Sequence, residues 1–123
     1  MVRQETLARK IDYVVAKIER LKALKGPSRS EFLRNSDLQD IILHNLQLTI
    51  QACIDMGVRI IADEGWGTPG SFSDVFYKLQ DHAIIDRTLS EQLVQMVGFR
   101  NRVIHDYEDL DLNIVYDIWQ DGL

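Results

Sequence analysis

Between Leu38 and Ala62, fifteen of twenty-five residues are Leu, Ile, Val, Met, Ala or Cys, and no proline interrupts them. Spacings of three and four residues sort the run into two seams. Ile42, Leu46, Cys53, Met56 and Ile60 make one; Leu43, Ile50, Ile54 and Ile61 make the other. Such a segment is a helix buried on more than one side. It spans about Asp37 to Glu64 and ends at Gly65, roughly 40 Å at ~1.5 Å per residue. A chain of 123 residues builds one domain around one core. With so little protein to cover it, the second side of this helix is expected to meet another subunit.

The flanking segments also read as helices. Leu7, Ile11, Val14, Ile18 and Leu21 give a first helix from about Val2 to Lys25, stopped by Gly26-Pro27. A polar loop is expected up to Asn35 or Ser36, either of which can cap the long helix. Gly65-Trp66-Gly67-Thr68-Pro69-Gly70 is a loop, after which Ser73 is expected to cap a short helix bearing Val75, Phe76 and Leu79. Thr88 and Glu91 have the spacing of a capping box and are expected to open a helix with Leu89, Leu93, Met96 and Val97 on its inner face. Asp111 caps a last helix carrying Leu112, Val115, Ile118 and Trp119. No segment sustains the alternation of a strand. The expectation is an all-α chain: residues 1–123 as a single domain, an antiparallel up-and-down bundle of four to five helices, homodimeric.

Charge and cysteine usage narrow the function. Residues 1–20 carry Arg3, Glu5, Arg9, Lys10, Asp12 and Lys17, which rules them out as a signal peptide or membrane span and suggests a cytoplasmic protein. Cys53 is the single cysteine, so no internal disulfide and no cysteine metal cluster is available, and it reads as a small buried hydrophobe. The net charge is −5 but unevenly spread. Residues 1–40 hold nine Lys/Arg against six acids, and residues 41–123 hold five against thirteen. A polyanion would meet the N-terminal helix and the Arg100 region and avoid the acidic remainder.

The stretch with chemical content runs from Gly98 to Tyr107. It places Arg100, Asn101, His105 and Tyr107 at the end of an amphipathic helix. Arg is a permanent cation that grips phosphate, and His exchanges a proton near neutral pH. Asn101 and His105, four apart, share a face, so the Asn amide can hold one imidazole tautomer. Arg100 and His105 are five apart, about 140° around the helix. Two antiparallel copies across a twofold axis would line one groove with both, so the spacing favours a site between subunits. RNA cleavage suits the pair. The ribose 2′-OH is a built-in nucleophile, His105 can act as general base or acid, and Arg100 can stabilise charge on phosphorus. No metal or other cofactor is required. The same residues also have a plain structural reading, because Arg and His favour the C-terminal end of a helix dipole, and Arg102 and Asp106 have ion-pair spacing.

Other polar residues are weaker candidates. Asp55 lies in the apolar run and must be paired or face a cleft, as a structural partner of an Arg or His or as a supporting member of the site. His44 and His82 have no neighbour at metal-ligand spacing and read as ordinary surface residues. Trp66 reads as a packing lid.

Arg100-Asn-Arg-Val-Ile-His105-Asp-Tyr107 resembles the Arg-x4–6-His motif of the HEPN superfamily, and more closely the Arg-Asn-x3-His-x-Tyr form of its HepT-like toxins. Gly98-Phe99, Ala52-Cys53-Ile54-Asp55 and the Gly-Thr-Pro loop look like the same family, over roughly residues 3–120. The resemblance implies a homodimeric, metal-independent toxin ribonuclease acting on tRNA or mRNA, with Arg100 and His105 catalytic at the dimer groove. It further implies an MntA-like minimal nucleotidyltransferase as antitoxin, in an assembly that can grow beyond the dimer. That partner would transfer AMP to Tyr107 and so block the groove by bulk and negative charge. The alternative is a non-catalytic HEPN module that only dimerises and docks a nucleotidyltransferase.

Overall fold

The computed structural model describes residues 2–105 and 109–123, with side chains from Glu5 onward. Among the described residues there are six helices and no strand: α1 (Val2–Ala23), α2 (Arg29–Leu33), α3 (Ser36–Glu64), α4 (Phe72–Asp81), α5 (Arg87–His105) and α6 (Leu112–Asp121). The all-α expectation holds. The extra helix is α2, in the stretch expected to be loop. It forms because Ser28 and Glu31 close a capping box: Ser28 Oγ accepts from the Glu31 amide at 3.2 Å, and Glu31 Oε1 accepts from the Ser28 amide at 3.4 Å. Asn35 caps α3, its Oδ1 accepting from the Leu38 amide at 3.0 Å. None of the described helices is long and apolar enough to cross a membrane.

The chain gathers into two compact units, Met1–Thr49 with Glu108–Leu123, and Ile50–Tyr107. In the first, the core is aromatic. Phe32, fully buried, sits 5.7 Å from the rings of both Tyr116 and Trp119. The Trp119 indole N–H donates to the Leu21 carbonyl at 2.7 Å, which satisfies the one polar atom of a fully buried side chain. The end of α1 is tied to α6 again by Lys25, whose ammonium donates to the Gln120 carbonyl at 2.9 Å. Asp111 caps α6 as expected, accepting from the Asn113 amide at 2.9 Å.

In the second unit, α4 packs its buried Val75, Phe76 and Leu79 near α5, which buries Ser90, Val97, Phe99 and Val103. The Ser90 hydroxyl donates to the Phe76 carbonyl at 3.3 Å and needs no water. The caps of these two helices differ from expectation. Ser71, not Ser73, caps α4: its side chain accepts from the Asp74 amide at 3.0 Å. Asp86, not Thr88, caps α5, with Oδ1 accepting from the Leu89 amide at 2.8 Å. Glu91 then pairs with Arg87 at 2.9 Å instead of turning back to the helix start. An acceptor two residues earlier in the chain won in both cases.

The long α3 is buried unevenly. Leu43, Ile50, Ile54 and Ile61 are all buried, so that seam belongs to this chain's core throughout. Ile42 and Leu46 of the other seam are buried too, but Cys53, Met56 and Ile60 are only half-buried, and Val58 beside them is 40% exposed.

Candidate active site

The last two turns of α5 set the site. Val97, Phe99 and Val103 point inward and anchor the helix. That leaves Asn101, Arg102 and His105 exposed, with Arg100 half-buried at the boundary. The 3.6-residue period accounts for this division, since Asn101 and His105 are one turn apart on the outward side. Among the described residues no hydrogen bond joins those two side chains, so the Asn101 amide is a neighbour of His105 and not its clamp. Arg102 is exposed, while Asp106, its expected ion-pair partner, lies outside the described residues, as does Tyr107.

Among the described motif residues, Arg100 is the one with a defined contact. Its guanidinium lies over the ring of Phe72, 5.2 Å from the centroid. A guanidinium over a ring face keeps its charge and its in-plane N–H donors, so it remains able to bind a phosphate. Sequence reasoning missed Phe72. The signal was there, an aromatic at the first position of a helix that follows a Gly-Thr-Pro-Gly loop, but nothing in its spacing linked it to a residue 28 positions on.

Asp55 is half-buried on α3, and its Oδ1 accepts from the Gln51 amide, one turn earlier, at 2.9 Å. That bond goes some way to satisfying a carboxylate on an apolar helix. Cys53 is half-buried, and burial pushes its thiol above the usual range, which keeps it protonated and unreactive. His82 is exposed and stacks flat on Trp66, with ring centroids 3.8 Å apart. Trp66 is held at the end of α3, its amide donating to the Ile61 carbonyl at 3.0 Å across Gly65, whose φ of +69° suits glycine. Trp66 thus packs on a surface histidine. His44 is exposed. Among the described residues no three His, Cys, Asp or Glu side chains gather as a ligand set for a metal.

This geometry offers a phosphate-binding cation and an accessible imidazole on adjoining faces of one helix end. The similarity to known proteins agrees with it. The Ribonuclease HepT-like family profile matches residues 14–123. An mRNA nuclease HepT of Shewanella oneidensis is 35% identical over 119 residues, covering 97% of this chain and 89% of that protein. A tRNA nuclease HepT of Aphanizomenon flos-aquae is 30% identical over 99 residues, covering 80% of this chain and 67% of that protein. The solved structure of a tri-AMPylated Shewanella oneidensis HEPN toxin in complex with MNT antitoxin superposes with a TM-score of 0.86 at 36% identity, covering 94% of this chain and 86% of that one. From its motif, its helices and nearly its whole length, this chain belongs to the Ribonuclease HepT-like family.

Proposed function

We propose that the protein is a metal-independent endoribonuclease, the toxin of a cytoplasmic toxin–antitoxin pair, with Arg100 and His105 as its catalytic residues. The observation that carries this reading is the intact motif at an accessible helix end. Arg100 is held at the surface by Phe72, and His105 is open to solvent one turn on. In the reaction, the ribose 2′-oxygen bonds to phosphorus as the bond to the 5′-oxygen breaks. His105 takes the 2′-OH proton, or gives one to the departing 5′-oxygen, and water carries the other of these two protons. Arg100 stabilises the added charge on the phosphoryl oxygens. The products carry 2′,3′-cyclic phosphate and 5′-OH ends. Asn101 and Asp55 have supporting roles, Asn101 beside the imidazole and Asp55 in fixing α3 through Gln51.

A homodimer supplies what one helix lacks. Two residues about 140° apart on one α5 do not point the same way, although a long Arg can fold back along the helix, whereas two copies facing across a twofold axis line one groove with both. The half-buried Cys53, Met56 and Ile60 form an apolar stripe suited to that contact. An MntA-like nucleotidyltransferase is the silencing partner. AMP carried on Tyr107, two residues from His105, would crowd and repel RNA phosphate.

The test is cleavage of total RNA and tRNA in EDTA by the unmodified protein, its mass confirmed, beside His105→Ala. The expected outcome is cyclic-phosphate ends from wild type and a loss of about a hundredfold or more in the variant, the usual contribution of a positioned acid–base group. An unmodified wild type that leaves both RNAs intact would replace this reading with that of a non-catalytic docking module.

A further inference from the structure

Phe72 does more than carry Arg100. The residue is 42% exposed, and it lines an open groove of about 490 Å³ with Val58, Pro69, Gly70, Ser71 and Val75. That size falls within the range of small-molecule sites, ~300–1,000 Å³. The wall is held firmly. The Gly70 amide donates to Asp74 Oδ2 at 2.9 Å and Ser71 caps α4, so the loop is bound to the first helical turn. Val75 is pinned from behind by Gly57, where even a Cβ would come within 2.4 Å of its Cγ1.

We propose that this groove is the nucleobase subsite of the enzyme, taking the base that adjoins the phosphate held by Arg100. The inference rests on the ribonuclease reading above. A nucleotide joins an anion to a flat aromatic ring through one sugar. Here a cation and an apolar, aromatic-lined groove are joined through one side chain, Phe72, in the matching arrangement. The occupant is therefore a base of the RNA substrate. Phe72 offers a π face and no hydrogen bond, so recognition is by stacking, tolerant of sequence and stronger for purines. Phe72 is also a positioning residue, since the ring that receives the base fixes the cation that receives the phosphate.

The test uses the full chain and three variants: Val58→Phe, which fills the groove without touching Arg100 or His105, Phe72→Ala, and Phe72→Trp. KM and kcat are measured on an oligoribonucleotide. Kd is measured by fluorescence anisotropy on a 2′-O-methyl oligoribonucleotide, which lacks the nucleophile. Val58→Phe and Phe72→Ala are expected to raise KM and Kd about tenfold, the scale of one base–aromatic stack. Only Phe72→Ala should also lower kcat, and Phe72→Trp should recover both. A Val58→Phe protein with wild-type KM and Kd overturns the proposal. So does a change in its sedimenting mass, which would make the groove a contact between copies. If wild type cleaves nothing, the ribonuclease reading fails, and the 2′-O-methyl Kd still decides the groove on its own.

Discussion

Ala83 follows α4 with φ of +59°, the only described residue other than glycine with a positive φ. The left-handed turn lets the Ile84 amide reach back to the Leu79 carbonyl at 2.9 Å and close the helix. An alanine there costs ~1–2 kcal/mol, where glycine would cost none of that steric term. Against it stands the extra freedom glycine has when unfolded, ~0.5–1 kcal/mol. Ala83→Gly should therefore stabilise the protein by up to about 1.5 kcal/mol, read as a rise of a few degrees in Tm. An unchanged or lower Tm would show that the turn is not strained. Nothing in the sequence marked this position, because no residue type signals a strained alanine. Caps were only partly legible for a related reason. The same Ser/Thr-x-x-Glu spacing occurs at Ser28 and at Thr88, and only the first caps a helix. At Thr88 an aspartate two residues earlier reaches the free amides better, and Arg87 draws Glu91 away. Spacing alone does not weigh such competitors.

At the level of elements, helix periodicity was the reliable guide. The fully buried seam of α3 and the buried Val115 and Trp119 of α6 follow from three- and four-residue spacing of apolar side chains. On α5, by contrast, only Val97 of the four residues expected inside is buried. Leu93 and Met96 are half-buried, and Leu89 is 42% exposed because Phe99 and Val103 carry the packing instead. What periodicity does not reveal is which helices pass closely. Gly57 sits inside α3, where glycine weakens a helix by ~1 kcal/mol relative to alanine. Its justification is tertiary: a Cβ at this position would press on Val75 Cγ1 at 2.4 Å and Leu79 Cδ1 at 3.3 Å, both on α4. Gly57→Ala should thus lower stability by about 1–3 kcal/mol despite its better helix propensity, the ordinary cost of overpacking. Val75→Ala in the same chain removes the clash, so the pair should be less destabilised than the two single effects combined. Urea titration of the four proteins gives the coupling. A stabilising Gly57→Ala would mean that propensity outweighs packing and that the two helices move apart. The same crossing sets the wall of the groove beside Phe72, through Val75.

For the whole molecule, the motif points to a chemistry and leaves the assembly of the site open. Arg100 and His105 were legible as a pair because Arg and His at that spacing carry phosphate binding and proton transfer. The Phe72 contact was not, since it joins residues distant in sequence. Whether one site draws Arg and His from one chain or two is decided by mixing inactive subunits. Arg100→Ala and His105→Ala dimers are each expected to be inactive. If each site takes Arg100 from one protomer and His105 from the other, a mixed dimer keeps one intact site, the one pairing the His105→Ala chain's arginine with the Arg100→Ala chain's histidine. Random exchange at equal amounts makes half of the dimers mixed, each with one site of two, so activity should return to about a quarter of wild type. Sites built within single chains lose one residue each and return nothing. Cleavage of a fluorescent oligoribonucleotide, followed as the two variants are unfolded together and refolded, distinguishes these outcomes. Recovery would also require that the copies associate, so the same trace tests the homodimer that the half-buried stripe of Cys53, Met56 and Ile60 suggests.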